Sequence, residues 1–175
     1  MSQRKRLIVD MDGVLADVYQ QFFKYEKEQF QLTINPDDCA GVPEEQVFPH
    51  LSEYIHNDSF FLDAPLMEGS KEVFEKLNKQ YDLYIVSAAM EFPNSLRQKL
   101  AWLQNHFPFI KWQQIVFCGS KEVIKGDIMI DDHFKNLDYF DGKTYLFAQP
   151  HSIHKDAGRH ERVQSWSEIA QALLA

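Results

Sequence analysis

Five short runs of consecutive apolar residues govern what this chain can become. They lie in RLIVD (6–10), DLYIVS (82–87), QIVFC (114–118), DIMIDD (127–132) and TYLFA (144–148). A strand with one wet face alternates apolar and polar residues, whereas an unbroken apolar run suits a strand covered on both faces, as in a parallel sheet. Helical patterns fill the gaps between the runs. One begins near Ser70, with Val73, Phe74 and Leu77 facing inward. Asn94 is placed to cap another, with Leu96, Leu100, Leu103 and Phe107 on one stripe and Pro108 as its stop. Ser165 and Glu168 form a capping box ahead of Ile169 and Leu173. Strand alternating with helix predicts an α/β fold with right-handed crossovers.

One segment breaks that rhythm. From Ala16 to Leu66 no strand pattern occurs. Tyr19, Phe22, Phe23 and Phe30 fall at helical spacing, and EEQVFPHLSEYI reads as further helix around Pro49. The expectation is a helical cap over 16–65, inserted into a core made of 1–15 and 66–175, with hinges near Ala16 and Pro65. The aromatic stripe is expected to be the core of that cap. A chain of 175 residues with 45% hydrophobic and 14% aromatic content can bury such a core, which excludes a disordered chain.

Charge narrows the partners. A net charge of −8 argues against tracking a nucleic-acid backbone, and QRKR (3–6), the tightest basic cluster, is expected to be a solvated arm. No apolar run approaches the roughly 20 residues a membrane helix needs, and Asp10 and Asp12 interrupt the first run too early for a secretion signal. Cys39 and Cys118 suit neither a disulfide framework nor a metal pair, so free thiols in a reducing cytoplasm are expected.

In an open parallel sheet, ligands sit outside the carboxyl ends of the strands. At those ends this sequence carries Asp10-Met11-Asp12, Ser87 and Asp131-Asp132, with Lys121 just after the third run. Carboxylates packed so closely repel one another unless a cation compensates, and hard oxygen ligands select Mg²⁺. Ser87 and Lys121 offer a hydroxyl and a positive charge for the remaining oxygens of a phosphate. Each piece alone is ordinary, since Asp-Gly after a strand is often a turn. Their joint occurrence in this order makes the signal for phosphoryl chemistry.

DMDGVLAD, Ser87, Lys121 and Asp131-Asp132 together resemble the haloacid dehalogenase (HAD) superfamily, whose first motif is DxDGxxxD. SFFLDAPLMEGSKEVFEKL (59–77), KLAWLQNHF (99–107) and SKEVIKGDIMIDD (120–132) are similar in wording and spacing to its 5'(3')-deoxyribonucleotidases. The resemblance implies a Rossmann-like core with a five-stranded parallel sheet and a small helical cap after the first strand. It implies Asp10 as nucleophile and Asp12 as general acid and base, with an aspartyl-phosphate intermediate. Mg²⁺ would be held by Asp10, the backbone carbonyl of Asp12 and Asp132, with Asp131 in support, while Ser87 and Lys121 clamp the phosphoryl oxygens. Asp12 sets the chain apart from the superfamily's dehalogenases, which protonate no alkoxide and lack it.

The implied substrate is a small phosphomonoester, a (deoxy)nucleoside monophosphate, with no nucleic-acid polymer or membrane as partner and a homodimer allowed. The wording departs from the family where bases stack: its aromatic stretch matches Ala40-Gly41-Val42, its phenylalanine after the first motif matches Val18, and two of its basic positions match Gly119 and Glu91. Phe48, Phe60 and Phe61 are the candidates for a substitute platform. His151, His154 and His160 are expected to sit in a polar surface loop that follows the fifth strand. Within enzymes, a phosphatase for another metabolite and a phosphomutase stay open. Outside them stand a phospho-receiver, whose accepting aspartate would end the third strand where Cys118 stands, and a binding protein on the same fold.

Overall fold

The computed structural model describes residues 4–174. Met1 to Gln3 of the expected core, Gln3 also being part of the basic run, lie outside them, as does Ala175. Six strands form one all-parallel sheet: β1 (Arg6–Val9), β2 (Asp82–Ser87), β3 (Ile115–Phe117), β4 (Ile128–Asp131), β5 (Lys143–Phe147) and β6 (Glu161–Val163), in the order β3-β2-β1-β4-β5-β6. The expected five are all present, and β6 is the addition. Its ERV carries no apolar run, because an edge strand is paired and covered on fewer sides; it takes its register from β5, Tyr145 opposite Glu161.

Burial on both faces accounts for the unbroken apolar runs. Leu7, Val9, Leu83, Ile85 and Ile130 face α4 (Ser70–Gln80), α5 (Ser95–His106) and α7 (Trp166–Leu173), where Phe74, Trp102 and Trp166 fill the core. Ile8, Val86, Met129 and Leu146 point the other way, against Leu137 and Phe140. Ser165 caps α7 by accepting from Glu168 N, and the Glu168 carboxylate reaches back to Gln164 N.

The stripe expected on α5 is corrected. Leu100 is 38% exposed, and the buried face is Ser95, Gln98, Lys99, Trp102 and Leu103. Asn94 precedes the helix without capping it and donates instead to Ile55 O at 3.2 Å. The polar face has work to do: Gln98 accepts from Phe61 N at 2.9 Å and donates to Asn57 O at 3.0 Å, satisfying backbone groups that would otherwise be buried unpaired.

Between β1 and α4 the chain leaves the sheet. Asp17 caps α1 (Val18–Phe30), accepting from Gln20 N at 2.9 Å, and two single-turn helices, α2 (Glu44–Val47) and α3 (Leu51–Tyr54), flank Pro49. These pieces bury their own cluster, which holds Tyr19, Phe22, Tyr25, Phe48, Tyr54 and Phe60. The outgoing and returning chains run side by side: Asp17 N donates to Pro65 O and Met67 N to Leu15 O, each at 2.8 Å. The remaining helix, α6 (Phe134–Leu137), follows β4 directly.

Candidate active site

Asp10 is the first residue past β1, held to the sheet by its N–H donating to Ile130 O at 2.9 Å. Beyond it the chain reverses at once: Leu15 N and Ala16 N both donate to Met11 O, and Trp166 Nε1 holds Val14 O at 2.8 Å. Gly13 permits the reversal with φ +74°, where other residues are strained. A Cβ there would strike Asp132 Oδ2, so the motif loop lies directly against the end of β4.

The acidic and basic groups meet as anticipated from their strand ends. Lys121 Nζ lies 2.6 Å from Asp10 Oδ1 and 2.6 Å from Asp131 Oδ2. Asp131 Oδ1 accepts from His133 N at 3.0 Å and Asn136 Nδ2 at 2.9 Å, so this carboxylate is fully engaged in orienting Lys121 and its neighbours. Asp10 Oδ1 also accepts from Met11 N at 2.7 Å; Oδ2 makes no hydrogen bond among the described residues. Asp132 Oδ1 is buried and has no hydrogen-bond partner among the described residues. Ligand atoms of Asp10, Asp131 and Asp132 all lie within 4.8 Å of one another.

One buried ammonium cannot neutralise three buried carboxylates. Burial first, then the Asp131 charge, pushes Asp10 up to about 7 against the opposing pull of Lys121. Asp132 is pushed up well beyond the carboxylate range by burial and by Asp10 and Asp131. Lys121 moves the opposite way to an ordinary buried lysine, because Asp10 and Asp131 outweigh burial and raise it. The donor set, all carboxylate oxygens with one orphaned and a surplus of negative charge, fits a hard divalent cation.

Asp12 and Ser87 form a second group beside the first. Ser87 ends β2; its Oγ accepts from Lys99 Nζ at 3.1 Å and donates to Asp12 Oδ2 at 3.3 Å. Lys99 Nζ reaches Asp12 Oδ2 at 2.5 Å. Lys99 was not among the residues singled out from sequence. The signal available was a charged residue one position from the Leu100 that the stripe needed. A pocket opens from Asp10, Asp12, Ser87 and Lys121 towards the helical insertion, lined by Phe22, Ile55, Phe60, Phe61 and Phe92. Phe61 therefore reaches it, with Phe60 behind, fully buried against Phe22, Tyr25 and Tyr54. Phe48 does not: it packs among Phe22, Phe23 and Tyr19 in the insertion's own core. Val18 lines the pocket, whereas Ala40, Gly41 and Val42 do not.

The histidine expectation is corrected. His154 is exposed, but His151 and His160 are buried. His160 ties Thr144 Oγ1 to Asp138 through its two ring nitrogens. His151 sits beside the site, with Nε2 3.1 Å from Asp132 O and Nδ1 3.0 Å from Glu44 Oε1. The Tyr19 hydroxyl also lies 3.2 Å from Nδ1, so both ring nitrogens have polar partners. Burial would raise Glu44, yet the bond and charge of His151 bring it down to about 2. Burial and the His151 charge press His133 down to about 4. The rings of His133 and His151 stack at 4.3 Å and 12°, and with Glu44, whose ligand atom lies within 4.8 Å of theirs, they link the insertion to the core. None of the described helices is long and apolar enough to cross a membrane.

The chain is similar to known proteins over almost its whole length. Residues 4–175 match the family described as "5' nucleotidase, deoxy (Pyrimidine), cytosolic type C protein". The 5'(3')-deoxyribonucleotidase of Bacillus subtilis strain 168 is 36% identical over 181 residues, covering 98% of this chain and 99% of that protein. A protein of the same name from Bacillus phage SPbeta matches equally. Among solved structures, a Bacillus subtilis protein described as a HAD-hydrolase, YfnB, bound to magnesium, superposes with TM-score 0.64 at 14% identity, covering 99% of this chain and 100% of that one. The haloacid dehalogenase-like hydrolase SP0104 of Streptococcus pneumoniae gives 0.62 at 15%, covering 98% and 99%. At such identities the likeness is one of fold.

Proposed function

The chain belongs to the cytosolic type C 5'-deoxynucleotidase family and is a phosphomonoester hydrolase, and from that premise we propose that it dephosphorylates (deoxy)nucleoside monophosphates with Mg²⁺ through an aspartyl-phosphate on Asp10. The observation that carries this reading is the pairing of an unengaged Asp10 Oδ2 with the Asp12 carboxylate at the floor of one pocket.

Asp10, Asp132 and the backbone carbonyl of Asp12 would hold Mg²⁺, with Asp131 supporting from behind through Lys121. The fit rests on the orphaned Asp132 Oδ1 and on the carboxylate surplus. When bound, the ion neutralises that surplus and the charge on the phosphoryl oxygens.

Asp10 Oδ2 attacks phosphorus; the new P–O bond forms as the bond to the nucleoside oxygen breaks. Asp12 gives its proton to that departing oxygen, then takes one from the water that attacks phosphorus in the second step. The acyl-phosphate bond breaks, inorganic phosphate leaves and Asp10 is returned. Lys121 spends two donors on Asp10 and Asp131 and keeps a third for a phosphoryl oxygen. Ser87 supplies a hydroxyl at the same rim. The insertion over 16–65 acts as the cap, with Phe61 and Phe92 as the apolar wall on which a base can stack.

Phosphate release from a panel tests the reading: deoxy- and ribonucleoside 5'- and 3'-monophosphates, sugar phosphates and p-nitrophenyl phosphate, with Mg²⁺ and with EDTA. EDTA-sensitive hydrolysis concentrated on deoxynucleotides is expected. Turnover confined to sugar phosphates would overturn the nucleotide substrate, and full turnover in EDTA the metal.

A further inference from the structure

Lys99 is a buried charge that the phosphate chemistry above does not use. It sits on the second turn of α5, 2% exposed, at the edge of the same pocket, and its ammonium meets three partners. Asp12 Oδ2 lies at 2.5 Å, Ser87 Oγ at 3.1 Å, and the centroid of the Phe61 ring at 4.7 Å. An ammonium has three N–H donors; a carboxylate, a hydroxyl and an aromatic face account for all three. No donor is left for a phosphoryl oxygen. Burying such a cation is costly unless its partners are fixed, and this one is held against two residues that belong to the reaction.

We propose that Lys99 is the positioning residue for Asp12. This inference rests on the reading of Asp12 as general acid and base. By gripping Oδ2 together with the Ser87 hydroxyl, Lys99 fixes the carboxylate's rotamer and leaves the proton only Oδ1 as its seat. Oδ1 makes no hydrogen bond to protein among the described residues, and it is the oxygen that delivers the proton to the departing nucleoside oxygen. The same contact holds Ser87 Oγ as an acceptor from Lys99, so its own O–H is aimed inward instead of turning freely. Phe61 is thereby shared between the base-stacking wall and the ammonium that sets the acid.

A leaving-group comparison separates this role from a merely structural one. An alkoxide needs a proton in order to depart, whereas p-nitrophenolate does not, and kcat/KM reports only the first chemical step. In Lys99→Met, kcat/KM for a deoxynucleoside monophosphate is expected to fall roughly 100-fold, while that for p-nitrophenyl phosphate falls less than about tenfold. The ratio within one preparation is unaffected by any fraction that fails to fold. Asp12→Asn is the reference and should show the same selective loss. Equal losses on both substrates in Lys99→Met, or no loss, would overturn the inference while a selective loss in Asp12→Asn leaves the role of Asp12 standing. Equal losses in Asp12→Asn would overturn both. A wild-type protein that releases phosphate from neither substrate would refute the phosphatase reading itself.

Discussion

Removing the Lys121 ammonium should reveal how much of the fold's stability is bound up with its active site. Lys121→Met keeps the length of the side chain and deletes a charge that touches Asp10 and Asp131 at 2.6 Å each, with all three side chains at least nine-tenths buried. Breaking one partner out of a buried ion pair costs about 3–5 kcal/mol, because the carboxylates left behind are uncompensated. Asp131 retains His133 N and Asn136 Nδ2, which places the expectation at the lower end, about 3 kcal/mol in EDTA at pH 8. For a domain of this size that is roughly 6–12 °C in Tm. The sign with pH follows from the partners. The ammonium is raised above its ordinary value, so its contribution holds at every pH below that value and does not itself titrate near neutrality. Asp10, raised to about 7, takes up a proton below that pH and relieves the repulsion, so the loss should shrink at pH 5. Urea unfolding at both pH values, with unchanged m, is the assay. Lys121→Met with Asp131→Asn should recover part of the loss. A single variant within about 1 kcal/mol of wild type at pH 8 would refute the reasoning, as would a loss undiminished at pH 5.

Three further outcomes follow from the same geometry. Because Asp10 is raised to about 7, the metal-free protein is most stable with that carboxyl protonated and loses stability as pH rises towards 7; the gap between Tm with Mg²⁺ and Tm with EDTA should therefore widen from pH 5 to 8, and a constant gap would contradict it. Gly13→Ala forces a Cβ onto Asp132 at φ +74°, which should cost about 1–2 kcal/mol of stability and, by displacing the carboxylate, roughly 100-fold in kcat; urea unfolding and steady-state kinetics read both. Phe48→Ala should cost about 3–5 kcal/mol in unfolding with KM little changed, whereas Phe61→Leu should raise KM for nucleotides more than for p-nitrophenyl phosphate; reversed effects would exchange their places.

What could be read ahead of the structure follows a physical divide. β1, β2, β4 and β5 were legible because burial on both faces leaves no room for polar residues, and the acidic strand ends stood out because nothing in packing calls for them. β6 was not, since an edge strand of three residues needs only its backbone to pair. The buried face of α5 was misread because apolar periodicity assumes a hydrocarbon partner, and this helix instead meets backbone amides and an active-site carboxylate. His151 and His160 fell outside the pattern for the same reason: each is buried by satisfying both ring nitrogens, which no local spacing announces. Phe48 and Phe61 are alike in composition and neighbourhood, and only the tertiary turn between them decides which one meets the pocket.

The paired chains at Asp17 and Pro65 have a consequence for how such a protein can change. Departure and return are one hydrogen bond apart, at 2.8 Å, so everything between them is attached to the sheet like a bead on a closed clasp. The catalytic carboxylates lie on one side of that clasp and most of the aromatic wall on the other. A whole alternative segment, longer or shorter, could be spliced in at this point without moving a strand. Choice of substrate is thus free to drift by exchange of the inserted piece, while the machinery that breaks the phosphate bond is inherited unaltered.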